Sequence, residues 1–348
     1  MVTERSLPAA DLEHMLERGE QDWRALRGAR LFLTGGTGLF GRWLLGGIAA
    51  ANARLDTGIR ATVLTRDPAA FLARAPQLAR QSFLHWHAGD VRDFSFPEGT
   101  YSHVIHAGAP TGAAFQAVEP QETFDTIVEG TRRVLEFAAL RDVARLLYVS
   151  SGAVYGRQPS TIERVPETYT GAPGCDDPAS AYAEGKRAAE LLCVLAGGSG
   201  QLRPTVARCF TFVGPYLPLD AHFAMGNFLR DALNGGPIAV SGDGTPLRSY
   251  LHMADLVPWL IAVLVRGTPR RPYNVGSGDA ISIADLARKV ARIAGLGSAV
   301  TIRGRPSGEA PLRYVPAVER ARDELGLSVG IALDGAIERT LHWLRSTR

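Results

Sequence analysis

Two short segments of this 348-residue chain could move a proton onto or off an oxygen: Tyr182-Ala183-Glu184-Gly185-Lys186, and the earlier Ser150-Ser151-Gly152-Ala153-Val154-Tyr155-Gly156. On a helix, residues four apart share a face one turn apart. A free phenol has a pKa of about 10, too high for easy proton movement at neutral pH. A neighbouring ammonium favours the phenolate and lowers that value. Tyr182 beside Lys186 could then serve as a general acid/base. The spacing also occurs on ordinary helices, so a plain surface pair stays open on this evidence alone. A serine hydroxyl at a strand end could bind a substrate oxygen, or could merely cap or turn the chain.

Those residues need elements to hold them. Arg145-Leu146-Leu147-Tyr148-Val149 reads as a buried strand leading into Ser150, and ligands of doubly wound sheets sit outside the carboxyl ends of strands. Earlier, Ala29-Arg30-Leu31-Phe32-Leu33 runs into Thr34-Gly35-Gly36-Thr37-Gly38-Leu39-Phe40-Gly41 and then Arg42-Trp43-Leu44-Leu45. Strand, glycine turn and helix form the context of a dinucleotide fingerprint. Glycines there serve the tight turn, close approach to a pyrophosphate and helix–strand packing. The helix N-terminus offers free N–H groups and partial positive charge. A glycine run is a weak signal singly; three such elements in this order are far rarer by accident.

The end of the next strand bears on the cofactor. Ile59-Arg60-Ala61-Thr62-Val63-Leu64 is followed by Thr65-Arg66-Asp67-Pro68. NAD sites usually place an acid here for the ribose 2′-hydroxyl, whereas arginine accommodates a 2′-phosphate. Arg66, with Arg42 nearby, favours NADP(H). NAD(H) is the alternative, with Asp67 serving one residue late.

With these motifs in hand, the chain resembles the extended short-chain dehydrogenase/reductases, and more narrowly the NAD-dependent epimerase/dehydratase family, which modifies nucleotide sugars. The likeness runs from about Ala29 to the C-terminus. It includes Gly89-Asp90-Val91-Arg92-Asp93, His106-Ala107-Gly108-Ala109, Arg208 to Pro215, Gly242-Asp243-Gly244 with Arg248-Ser249-Tyr250, Tyr273 to Gly278, and Glu324-Leu325-Gly326-Leu327. The resemblance implies Ser151, Tyr182 and Lys186 as catalytic, with Lys186 also holding the nicotinamide ribose. It implies a cofactor site of Gly35, Gly38, Leu39, Phe40, Gly41, Arg42, Arg66, Asp90, Val91, Ala107, Tyr182 and Lys186. It further implies substrate contacts from Ser151, Thr211, Asn227 and Arg248, the arginine pairing with a diphosphate. A guanidinium fork suits phosphate oxygens; a solvated surface arginine is the plainer reading.

Three positions depart from the family pattern. Dehydratases carry an acid directly after the catalytic Ser/Thr, where this chain has Gly152 and then Ala153, which argues against a 4,6-dehydratase. Ile127 stands where many relatives have Asn, which unsettles the usual proton relay. Thr211 stands where many sugar-modifying relatives carry Asn.

Composition sets the outer limits. Net charge is +3 and the apolar fraction 46%, ordinary for a globular protein. The arginines are scattered, unlike a nucleic-acid footprint. No apolar run approaches a membrane span, and no secretory signal opens the chain. Cys175, Cys193 and Cys209 form no CxxC or metal spacing and fit a reducing cytoplasm. His85-Trp86-His87 puts two imidazoles on one strand face without a third ligand, so no metal is assigned.

Along the chain, 1–28 reads as a helical extension, with Leu12, Met15 and Leu16 on one face of an amphipathic helix. Residues 29–212 alternate strands and helices as a NAD(P)-binding Rossmann domain. Residues 213–348 are mainly a substrate-binding lobe, with about 249–275 returning to the Rossmann domain. Helices are expected at 123–140, 182–195, 223–234, 252–265 and 283–294, the last capped by Ser282. Residues 163–178 read as a loop ahead of the catalytic helix. The fold class is α/β: a Rossmann doubly wound parallel sheet with a smaller C-terminal α/β lobe. Relatives often dimerise through the helices at 123–140 and 182–195, so the resemblance implies a homodimer.

The function that fits is hydride transfer at C4 of a nucleotide-diphosphate sugar, with 4-ketoreduction favoured because a reductase exchanges its cofactor each turnover. Tyr182 would protonate the developing alkoxide and Ser151 would hydrogen-bond it. The alternatives are a 4-epimerase with retained NAD, then a 4,6-dehydratase, a reductase of small or flavonoid-like ketones, and a silent NADP(H)-sensing protein.

Overall fold

The computed structural model describes residues 5–109, 119–198, 200–220, 223–305 and 308–346. Helix α1 (Ala9–Ala25) precedes strand β1 (Arg30–Thr34), and the glycine turn leads into α2 (Leu39–Leu55). There follow β2 (Arg60–Thr65), α3 (Pro68–Arg74), β3 (Leu84–Ala88), β4 (His103–His106), α4 (Pro120–Leu140), β5 (Arg145–Ser151), α5 (Ala181–Ala196) and β6 (Arg203–Cys209). Later come α6 (Ala224–Leu233), α7 (Met253–Arg266), β7 (Pro272–Val275), α8 (Ile283–Ala294) and α9 (Leu333–Arg345).

The strands form one seven-stranded sheet in the order β7-β6-β5-β4-β1-β2-β3, and every pairing in it is parallel. Strand alternation divides the apolar side chains between two cores. Leu31, Leu33, Ile105, Leu147, Val149 and Ala207 face one, with residues of α1, α2 and α7. Phe32, Val104, Leu146, Tyr148 and Val206 face the other, with residues of α4 and α5. Both faces are therefore covered, as a parallel sheet requires. The order reverses between β1 and β4, and in such sheets the crevice at that reversal receives ligands.

After β6 the chain adds smaller pairings. Leu247–Arg248 lies between Ile281–Ser282 and Arg313–Tyr314, and Ile238–Val240 pairs with Val300–Ile302. Strand β7 returns to the outer edge of the large sheet beside β6.

Several boundaries shift from the sequence reading. Helix α1 occupies most of the 1–28 extension, at Ala9–Ala25, with Trp23 fully buried. Helix α4 starts at Pro120, not 123, since proline suits the first helical turn. Ser282 caps α8 as expected, accepting the Asp285 N–H at 3.0 Å.

Candidate active site

The glycine turn is built as a cradle. Gly35 has φ +73°, and a Cβ there would fall 2.5 Å from the Ala107 carbonyl oxygen of the adjacent strand end. A Cβ at Gly41 would meet the Gly35 oxygen at 2.3 Å. Only glycine permits both the turn and this approach of helix to strand. Gly38 starts α2 with no side-chain cap, so the first N–H groups stay available to an anion. Leu39 and Phe40 are half-buried, and the Phe40 ring packs 5.1 Å from Phe212. This geometry fits the pyrophosphate of a dinucleotide.

Beneath the cradle a buried polar chain ties three elements together. The Gly108 N–H donates to Thr34 Oγ1 at 2.9 Å, and Thr34 Oγ1 lies 2.6 Å from His106 Nδ1. His106 Nε2 is 3.0 Å from Thr131 Oγ1, which donates to the Ile127 carbonyl at 2.7 Å. Thr131's proton is thus spent, so it accepts from His106 Nε2–H, and His106 Nδ1 accepts from Thr34. Burial, with Lys186 adding repulsion, pushes His106 down to about 3, consistent with that neutral ring. The Ile127 side chain abuts Gly185 of α5, an apolar contact where many relatives have an amide.

At the end of β2, Arg66 and Asp67 are exposed. Asp67 caps α3, accepting the Ala70 N–H at 2.9 Å. Arg42 is braced by two rings, 5.7 Å from the centroid of Phe71 and 5.2 Å from that of Tyr216, and it donates to the Thr37 carbonyl. Asp90 takes three bonds from Arg92. Burial raises the Asp90 carboxyl, but those bonds and the charges of Arg92 and Arg66 outweigh it and hold the group below the usual range. Val91 packs against Gly130 of α4. His87 bonds the Ser95 carbonyl at 2.7 Å. Among the described residues no group of three or more His, Cys, Asp or Glu could hold a metal ion.

The candidate acid/base residues come together where α5 lies along β5. Lys186 is buried and donates to the Val149 carbonyl at 2.8 Å. Burial lowers its ammonium to about 8. Ser150 is committed to Glu190, bonded at 2.5 Å, and Glu190 is also held by Arg208 through a 2.6 Å bond. Ser151 accepts the Ala153 N–H at 3.2 Å and faces Tyr182. Burial pushes Tyr182 up to about 12, with Ser151's hydrogen bonding opposing it. The lowering expected from Lys186 is absent. The ammonium stands 5.9 Å from the Tyr182 ring centroid and is engaged by the backbone.

The expected substrate contacts are less uniform. Arg248 is half-buried, with its guanidinium 5.8 Å from the Tyr314 ring centroid. Thr211 donates its hydroxyl to the Ser249 carbonyl, which ties it to backbone. Asn227, on α6, accepts from Arg230 at 3.1 Å.

A family model described as the NAD dependent epimerase/dehydratase family matches residues 31–276. The chain belongs to this family. Curated relatives include UDP-glucuronic acid decarboxylase 1 of Xenopus tropicalis, 29% identical over 70% of this chain and 56% of that protein. Another is dTDP-glucose 4,6-dehydratase of Streptomyces niveus, 24% identical over 92% of this chain and 94% of that protein. The chain spans between half and two thirds of the length of the decarboxylases it matches. The solved UDP-glucose 4-epimerase of Thermotoga maritima shares the fold at TM-score 0.76, with 20% identity over 91% of this chain and 99% of that one.

Two features of this family member escaped the sequence reading. Glu190 completes the α5 stripe begun by Tyr182 and Lys186, and its i+4 spacing was there to be seen. Tyr314 also enters the site, beside Ser151 and Gly152. No local pattern announces it, because it arrives by strand pairing with Leu247–Arg248.

Proposed function

We propose that this chain is an NADP(H)-dependent 4-ketoreductase acting on a nucleotide-diphosphate sugar. The observation that carries the reading is the set of half-buried Ser151 and Tyr182 with buried Lys186 at the carboxyl end of the sheet, with Gly152 and Ala153 where an eliminating acid would stand. With its pyrophosphate held in the glycine cradle, an NADPH cofactor would supply the hydride for reduction of the sugar ketone. The protein's own residues do the rest. Tyr182, kept protonated by burial at neutral pH, gives its proton to the oxygen that gains charge. Ser151 supports it, since donors aimed at developing oxyanion charge are a large source of rate. Lys186 steadies the ribose and the local field, and Arg248 pairs with the diphosphate.

Support for NADP(H) over NAD(H) comes from exposed Arg66 and from Asp67, whose carboxylate already caps α3. A 4-epimerase with retained NAD is the second reading, because it too needs no acid at position 152. We further infer a cytoplasmic homodimer. Its support is three unpaired cysteines and the apolar surface of α4 and α5; no helix among the described residues is long and apolar enough to cross a membrane.

The deciding experiment is mass spectrometry of any dinucleotide released on denaturation, then titration of the emptied protein with NADPH and NADH. Tighter binding of NADPH, followed by turnover of a 4-keto nucleotide sugar, is the expected result. Stoichiometric bound NAD(H) with interconversion of UDP-sugars would make it an epimerase. Release of carbon dioxide from UDP-glucuronic acid would move it to the decarboxylases.

A further inference from the structure

A turn after β6 holds an aromatic residue where its backbone favours glycine. The Leu217 N–H donates to the Gly214 carbonyl at 3.2 Å, closing Gly214-Pro215-Tyr216-Leu217 with proline second and tyrosine third. Tyr216 has φ +68°. That third place, at positive φ, ordinarily takes glycine or asparagine, because a bulky side chain crowds its own backbone there. Residues held in such conformations cluster at functional sites, so the ring there points to a function.

The turn is docked on α2, where the Trp43 indole N–H donates to the Pro215 carbonyl at 3.0 Å. Next to Trp43, Arg42 meets the Tyr216 ring, its guanidinium 5.2 Å from the centroid, and lies 5.7 Å from that of Phe71. The Tyr216 ring is itself fixed. Trp343 packs edge-on against it with centroids 5.0 Å apart, and its hydroxyl donates to the Arg5 carbonyl. Arg42 Nε also donates to the Thr37 carbonyl at 3.2 Å. Thr37 belongs to the glycine turn, and Phe71 to α3, which opens directly after Arg66 and Asp67. The guanidinium is therefore held between the glycine turn and the end of β2. In this fold a dinucleotide's adenosine ribose lies there, and an arginine there accommodates a 2′-phosphate. An arginine stem loses rotamer freedom on binding, and one already packed on rings has less to lose.

We propose that Tyr216 is a positioning residue for cofactor choice: its ring holds the Arg42 guanidinium at the place of the 2′-phosphate, so that NADP(H) is bound more tightly than NAD(H). This inference rests on the reading of the cofactor as NADP(H).

The test titrates the parent chain, Tyr216→Gly, Arg42→Gln and the double variant with NADPH and with NADH, followed by nicotinamide fluorescence. Glycine suits the positive φ of the turn, so Tyr216→Gly removes the ring without straining the backbone. NADH lacks only the 2′-phosphate and reports any change in the cradle at large. In Arg42→Gln we expect the Kd for NADPH to rise about tenfold, the scale of one charge-assisted pair. In Tyr216→Gly it should rise about threefold, the scale of a cation over an aromatic face. The Kd for NADH should hold in both. In the Arg42→Gln background the Tyr216→Gly change should do nothing more. An equal loss for both dinucleotides in Tyr216→Gly, an unmoved ratio of the two, or additive losses in the double variant would overturn the proposal. A parent chain that binds NADH as tightly as NADPH would instead sink the cofactor reading beneath it, so the two failures are separable.

Discussion

Burial, not the neighbouring ammonium, sets the acidity of Tyr182 in the unliganded protein. At about 12 the phenol holds its proton across the neutral range, which suits an acid more than a base. Tyr182→Phe should therefore keep dinucleotide affinity and lose roughly 10²–10⁴-fold in turnover, the usual share of a positioned acid; parallel binding titrations and steady-state rates check both halves. The cofactor's outer ribose gives a second residue-level expectation. Arg66 is exposed and Asp67 is spent on a helix cap, so Arg66→Glu removes the cation and supplies the acid an NAD site uses. The NADPH-to-NADH ratio of dissociation constants should swing by about tenfold or more toward NADH, roughly one phosphate–arginine pair. An unchanged ratio in fluorescence titrations would mean that Arg66 does not meet the 2′-phosphate.

At the scale of elements, α1 acts as a brace for the helix that carries the glycine cradle. Trp23 is fully buried, and a Cβ at Gly47 of α2 would lie 3.0 Å from its ring, so the small residue makes room for the large one. Polar contacts fasten α1: Asp22 pairs with Arg266 at 2.7 Å, Asp11 with Arg339 at 2.8 Å, and His14 Nε2 lies 2.6 Å from Asp255. Trp23→Ala leaves a cavity that Gly47 cannot fill, and should cost about 3–5 kcal/mol, measured by denaturant unfolding. A loss below about 1 kcal/mol, the range of surface substitutions, would show that α1 is only loosely docked. The alternation of strands and helices was legible because apolar periodicity is local, and the glycine run, the Ser151 strand end and the Tyr182–Lys186 spacing were legible for the same reason. The helical extension at the N-terminus was legible too, but its docking against α2, where Trp23 meets Gly47, was not, because that contact joins segments apart in sequence. Tyr314 was hidden likewise: its place beside Ser151 depends on a pairing register between segments distant in sequence. The acidity of Tyr182 came out reversed because spacing puts Lys186 one turn away but shows neither the burial of the phenol nor the Val149 carbonyl that engages the ammonium.

At the scale of the whole molecule, the proposed homodimer needs a surface for a second copy to cover. Helices α4 and α5 pack on the sheet and on each other, yet their outer side keeps large apolar residues in water. Leu140 is 61% exposed, Leu191 58% and Leu195 61%, with Val194 beside them. Leu191, Val194 and Leu195 share one face of α5 at i, i+3 and i+4. Single exposed leucines need no explanation, but a cluster on one pair of helices is where the proposed dimer would form. A two-fold dimer would bring the same patch of each copy together. Leu191→Glu with Leu195→Glu places two carboxylates in that patch, where association would have to desolvate them against their own symmetry mates. Sedimentation is expected to show a dimer for the parent chain and a monomer for the double variant. Dinucleotide binding should survive, because the cradle lies on β1 and α2, whereas turnover should fall, because α5 carries Tyr182 and Lys186. A parent chain that sediments as a monomer would remove the dimer from the reading, and a double variant that stays dimeric would move the interface to another face.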